Sequence, residues 1–425
     1  MLGNLARMCA LAGLICGLCT PAMALTTVVA DTGTPAGVSV TGIQAQQGVD
    51  GLQLAQTDLS LVRDAGEVLD EPIAEAVELP VVTASFPPTR IALLLPSRSD
   101  SLNQVANAVH AGFMAAYQYE PGNIVINLVE TGDAAVDVLS GYQSAAANND
   151  IVVGPLTRSG ATEIIVNHAV TKPTIALTQP DTDEAGTIPS NMLLMGLSVE
   201  DEARQAATWA AAGKSGSKAF AISTGVSWQR RAASAFVTKW RSLGMQPETV
   251  ELSTGSGFIN ANGMLQLRKR IQEEKPALLF LALDATQAIQ LRMAIGNTVP
   301  MVGTSQLNPV ALDDWPTANR LNELEGMMLL DVPWQLQADH AAVMAYPHLP
   351  PNADQRRSPD IERLYALGID AYRVAHNIAL KQTDFQLDGV TGKLIVRFGN
   401  GPASFDRIMQ TAIYRDGMVQ PLQAP

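Results

Sequence analysis

From residue 90 onward, short uninterrupted apolar runs alternate with longer stretches in which apolar side chains recur every three or four positions. The run 91–95 (IALLL) has no polar alternation, as a parallel strand buried on both faces requires. A helix is predicted over 102–119, where Val105, Val109, Phe113 and Ala116 share one face. The unit then repeats, with strands at 124–130, 151–153 and 174–178 separated by helices at 134–147 and 159–170. Strands alternating with helices in this way imply right-handed crossovers within one parallel sheet.

A crossing strand is expected at 193–197, and Ser198-Val199-Glu200-Asp201 is a capping signature that opens a helix running to 212. A second series follows: strands at 218–224, 249–252, 277–283 and 301–304, with helices at 228–243, 263–273 and 286–295. Beyond 313–320 come a strand at 327–330 and a long helix over about 361–380 that is expected to return to the first series. Two alternating halves joined by several crossings predict a two-lobed α/β protein, each lobe a mostly parallel sheet flanked by helices. Lobe one covers about 89–195 with a return over about 331–390, and lobe two about 198–325.

Composition changes the picture mainly at the N-terminus. Residues 1–7 hold one cation, 8–19 are apolar, and Ala22-Met23-Ala24 offers the small residues of a cleavage site, so 1–24 reads as a signal peptide and the protein as periplasmic. A lipoprotein signal needs a small residue before a cysteine and Leu three before it, and neither Cys16 nor Cys19 satisfies this. All three cysteines, Cys9 included, fall in the removed segment, so no thiol chemistry is expected of the mature chain. Residues 25–88 read as an acidic, weakly structured linker, with a docking helix near 52–69 as the alternative. The net charge of −13 argues against nucleic acid or an anionic membrane surface as partner, and no later segment is apolar enough to span a membrane.

In open α/β sheets ligands bind beyond the carboxyl ends of the strands. Those positions hold Ser97 and Arg98, Thr131, Gly154, Pro155 and Thr157, then Thr178 and Gln179 in lobe one, and Thr224, Asp284, Ser305 and Asp331 in lobe two. Hydroxyls, glycine and helix N-termini of this kind can hold a small carboxylate-bearing ligand, with Arg98 as its counter-ion; equally, they can be helix caps and turns. Trp334, after Pro333, is a candidate aromatic anchor for a partner, with core filling as the alternative. No hydrolase elbow, zinc-protease helix, phosphate loop or dinucleotide fingerprint occurs, and His110, His168, His340, His348 and His376 are scattered. The acidic run 181–184 lacks the glycine and distal glutamate of a calcium loop. Neither catalysis, a cofactor nor a metal is expected.

Six strings stand out: VVGPL at 152–156, EDEARQAA at 200–207, GTSQLN at 303–308, DVPW at 331–334, LYALGIDAY at 364–372 and LDGVTGKL at 387–394. With the order of elements they resemble the penicillin-binding protein activator family, LpoA type, and its type 1 periplasmic-binding-protein-like fold. VGPL is common to many such proteins; SQLN, DVPW and LYALGIDAY in that order are more specific. The resemblance implies a non-catalytic envelope regulator that docks on a class A penicillin-binding protein in peptidoglycan synthesis. The alternative is a solute-binding protein delivering an amino acid or related small molecule to an ABC importer.

Overall fold

A computed structural model describes residues 87–181, 186–213, 216–311, 322–349 and 358–422. The signal peptide, most of the acidic linker, its docking-helix alternative, the segment 313–320 and residues 182–184 of the acidic run lie outside them.

The first sheet has five parallel strands, in the spatial order Ile124–Glu130, Thr89–Leu95, Ile151–Val153, Thr174–Ala176 and Met192–Leu194. Ile91 through Leu95 are all buried, and the pleat divides them. Ile91, Leu93 and Leu95 face a core shared with the helices Asn103–Tyr119 and Pro359–Ala379. Ala92 and Leu94 face the helices Ala135–Asn148 and Arg158–Val166. That two-sided burial is why the run is unbroken. The helix predicted to 170 ends at Val166, where Asn167 closes it with backbone bonds to Glu163 and Ile165.

The second sheet has seven strands, ordered Met418–Pro421, Gln410–Arg415, Met328–Asp331, Met301–Gly303, Leu278–Leu281, Lys218–Thr224 and Gln246–Leu252. Five are parallel; Gln410–Arg415 adds antiparallel to Met328–Asp331, and Met418–Pro421 antiparallel to Gln410–Arg415. The helices Val199–Ala210 and Ser227–Ser242 cover one face, where Phe236 stacks on Phe280 with centroids 4.2 Å apart. Ala261–Glu274 and Ala285–Ile295 cover the other. The second sheet therefore reaches well past residue 325, with strands from 328–331 and 410–421.

A separate antiparallel meander, Asp384–Asp388, Lys393–Arg397 and Ser404–Ile408, lies between the long helix and the closing strands. One continuous apolar cluster runs from the first sheet through Met195, Val332 and Trp334 into the second. No helix among the described residues is long and apolar enough to cross a membrane.

The long helix returns to the first sheet as expected, and glycine sets how closely. A Cβ on Gly112 would stand 1.9 Å from the carbonyl oxygen of Tyr365, and one on Gly368 2.1 Å from that of Val109. Backbone meets backbone at this crossing. Phe113 and Tyr372 pack edge-to-face beside it, centroids 5.2 Å apart.

Candidate functional site

At the strand ends of lobe one the candidates are occupied by local structure. Arg98 donates two hydrogen bonds from Nη2 to Asp137, at 2.8 and 2.9 Å, so it is not a free counter-ion for a ligand. Asp137 also accepts from the Gly132 amide, and this bond, with the arginine, holds its carboxyl below the usual range. Ser97 accepts from Asn103 Nδ2 through its carbonyl, and Thr131 is buried with its hydroxyl toward Leu95 O. Gly154, at φ 120°, takes a conformation that suits glycine, and a Cβ there would come within 2.3 Å of Leu94 O. It precedes Pro155 in a cis peptide. Thr157 caps the helix Arg158–Val166 by accepting from Gly160 N. Thr178 bonds to Gln179 O, and Gln179 reaches Asp201 at 3.5 Å.

In lobe two a chain of amides links two of the candidates. Thr224 donates from both its amide and its hydroxyl to Gln229 Oε1, at 2.9 and 2.6 Å. Gln229 Nε2 donates to Gln287 Oε1, and Gln287 closes a capping box with Asp284. Asp284 is thus a helix cap, which its position three residues before Gln287 could have revealed.

Ser305 and Asp331 belong to a buried ionic centre. Arg363, on the first turns of the long helix, donates from Nε and Nη2 to the two Asp331 oxygens at 2.9 and 2.7 Å, and from Nη2 to Ser305 O at 3.1 Å. Asp331 is fully buried and also accepts from Asn308 Nδ2 and from Val332 N, both at 2.8 Å. Across the same loop Glu202 accepts from Ser305 N at 2.7 Å and Ser305 Oγ at 3.2 Å. Burial pushes the Glu202 carboxyl up to about 7 against the pull of the Ser305 amide. For Arg363, burial opposes the charge, but Asp331, with Asp360 and Glu202, outweighs it and holds the guanidinium above its ordinary pKa.

A further tie crosses between the lobes, and another joins the long helix to the meander. Glu200 Oε1 accepts from Arg158 at 3.0 Å and Arg231 at 2.7 Å, joining a lobe-one helix to a lobe-two helix. Burial raises the Glu200 pKa, but its own backbone amide and the two arginines together bring it below the usual range. Asp370, fully buried on the long helix, accepts from Val390 N, Thr391 N and Thr391 Oγ1 at 3.1, 2.8 and 2.6 Å. It thereby holds the hairpin loop between the first two meander strands, Asp384–Asp388 and Lys393–Arg397.

Trp334 is not an exposed anchor. It is buried, its indole donates to Glu362 Oε2 at 2.9 Å, and its ring packs against His348 and Tyr365. A fully used N–H on a buried ring marks core filling.

Sequence reasoning missed Arg363, Glu202, Glu200 and Asp370 as structural actors, yet the strings marked them. EDEARQAA carries Glu200 and Glu202, GTSQLN carries Ser305 and Asn308, DVPW begins with Asp331, Arg363 immediately precedes LYALGIDAY, and Asp370 lies within it. Strings spread over some 170 positions converge on one clamp.

The architecture is that of a two-lobed, type 1 periplasmic-binding-like protein whose lobe-two strand ends are bonded to its own side chains. Among families, the one described as "LppC putative lipoprotein" matches residues 78–417, and the chain belongs to it. It is 26% identical over 355 residues to the penicillin-binding protein activator LpoA of Edwardsiella piscicida, covering 74% of this chain and 49% of that one. The chain spans about half the length of the curated relatives it matches. The LpoA (YraM) C-domain from Haemophilus influenzae, described as a regulator of PBP1A, superposes with a TM-score of 0.58 at 19% identity, covering 79% of this chain and 100% of that one. A structure from Chromobacterium violaceum described as a "putative branched-chain amino acid ABC transporter" gives a TM-score of 0.60 at 30% identity, covering 77% and 100%.

Proposed function

We propose that this protein is a non-catalytic regulator of the cell envelope that docks on a class A penicillin-binding protein and raises its rate of peptidoglycan synthesis. The observation that carries the reading is the clamp. In a two-lobed receptor the strand-end residues of both lobes must be available to a solute, whereas here Ser305 and Asp331 are bonded to Arg363 from the other lobe's long helix. Relatives named as penicillin-binding protein activators supply the partner class. Coupling requires that the regulator prefer the synthase's active conformation, and a preference of about 1–3 kcal/mol gives a several-fold effect or more. We place the mature protein in the periplasm, exported on residues 1–24, with an outer-membrane lipoprotein as the other form the family suggests.

A solute-binding role is the second reading, favoured by the 30% identity to the C. violaceum protein. One pair of measurements separates them. Purified protein added to class A penicillin-binding proteins of the same organism should raise glycan polymerisation or cross-linking several-fold. No effect on any of them, combined with a large stabilisation of this protein by free leucine, would overturn the docking reading and leave the receptor in its place.

A further inference from the structure

A cavity of about 520 Å³ is framed by the strands Met192–Leu194 and Ser404–Ile408 and by the helix Val199–Ala210. Of the strand-end candidates only Gln179 lines it. Its volume falls within the range of small-molecule pockets, about 300–1,000 Å³.

Its polar wall is Arg407. Nε donates to Thr391 Oγ1 at 3.0 Å, Nη1 to Gly196 O at 3.0 Å and Nη2 to Met195 O at 2.8 Å. Every acceptor is neutral, and Arg407 makes no ion pair among the described residues. A guanidinium has five N–H groups, so two remain without a partner among the described residues. Burial pulls its pKa down to about 10 against the opposing field of Asp370, Asp201 and Glu202, which leaves it charged at neutral pH. Of the other charged lining groups, Arg204 is paired with Asp201, and Glu202 is bonded to Ser305. Lys239 makes no ion pair among the described residues, so the lining sets Arg204, Lys239 and Arg407 against Asp201, Glu202 and Asp406, of which only Arg204 and Asp201 pair with each other there. The opposite character comes from Ile188, Met192 and Leu194, and from Phe405, whose ring centroid lies 5.1 Å from the Arg407 guanidinium carbon.

We propose that this cavity is a binding site for a small organic anion, a carboxylate on a short apolar body, with the carboxylate at Arg407 and the body against Met192, Leu194 and Phe405. Tying the lobe crossing together accounts for three of the arginine's donors; it does not account for a cavity beside a guanidinium that makes no ion pair among the described residues. A carboxylate matches the planar guanidinium and compensates its charge, which carbonyl and hydroxyl acceptors do only in part. The inference does not rest on the docking reading, since either kind of protein could carry such a site.

N-acetyl-leucine is a suitable probe and N-acetyl-leucinamide its uncharged twin, titrated calorimetrically into the mature full chain. The acid is expected to bind one to one, at least tenfold more tightly than the amide. Lys239→Glu, at a half-buried position outside the hydrogen-bonded crossing, is expected to weaken the acid several-fold, and Arg407→Gln to abolish its binding. Because Arg407→Gln also removes three structural hydrogen bonds, Lys239→Glu carries the test if that variant does not fold. The proposal is overturned if acid and amide bind alike, if neither binds at about 10 mM, or if Lys239→Glu leaves the acid's affinity unchanged, as it would for binding at the strand ends.

Discussion

At the scale of single residues, two buried carboxylates make opposite predictions. Asp370 takes two backbone amides and a hydroxyl. Asp370→Ala leaves all three donors buried without their acceptor, at about 1–3 kcal/mol each, and strips the Arg373 guanidinium of its carboxylate, so a loss of at least about 3 kcal/mol is expected. Urea unfolding of the variant should show that loss, and a change under about 1 kcal/mol would refute the role assigned to the carboxylate. Glu202 acts in the other sense. Its folded pKa of about 7 lies above the ordinary glutamate value of 4.5, so the native state holds the proton more tightly. Stability from this group is present below pH 4.5 and lost as pH rises through 7, because the buried carboxyl must then ionise. Glu202→Gln should therefore remove a downward slope, on the order of 2 kcal/mol between pH 5 and 8, from the difference between the two proteins' stability curves. Parallel curves would show that Glu202 does not titrate in that window. Little of this was legible beforehand. Hydroxyls and carboxylates at strand ends look the same in sequence whether they await a ligand or cap a helix, and only the arrival of Arg363 from 32 positions beyond Asp331 separates the cases.

Elements were read more successfully, and for a physical reason. A strand buried on both faces must be apolar throughout, so 91–95 and 278–281 announce themselves, as do the amphipathic helices between them. Failures fell where burial is one-sided or the element is short. The meander strands Asp384–Asp388 and Ser404–Ile408 alternate exposed with partly buried residues, and Pro333–Leu336 and Ala341–Met344 are single turns. The crossing of the helices Asn103–Tyr119 and Pro359–Ala379 was also hidden, because glycine in a helix suggests weakness before it suggests contact. Gly368→Ala tests the contact. Intrinsic propensity favours alanine by about 1 kcal/mol, while forcing a methyl into a backbone contact costs about 1–3 kcal/mol or more. With 2.1 Å available, the clash should win and the melting temperature should fall. A rise would mean that the helices can separate at no cost.

For the whole molecule the polar ties act in parallel: Arg158–Glu200–Arg231, Arg363–Asp331 and Arg407 with the 195–196 carbonyls. The exposed arginines add at most about 1 kcal/mol each, but breaking the buried Arg363 pair costs about 3–5 kcal/mol. The lobes should therefore move as one body. Every cysteine lies within residues 1–24, so in protein that begins at Leu25 spin labels at Gln143→Cys and Gln272→Cys report the lobe separation without interference. One narrow distance distribution is expected, unchanged by leucine and broadened by Arg363→Leu; two resolved distances in the parent protein would contradict a clamped pair.

The order of strands has a consequence for how the protein is made. The first lobe is covered by a helix whose Tyr372 bonds to Glu120, 252 positions earlier, and the second sheet is finished only by residues 410–421. Neither half can complete itself from the residues emerging first. Such long-range pairing delays folding, because loop closure precedes its reward. A chain threaded across a membrane N-terminus first would cross with the first sheet uncovered on one face and the second sheet unfinished, and it would depend on escort in its new compartment until the last elements arrive.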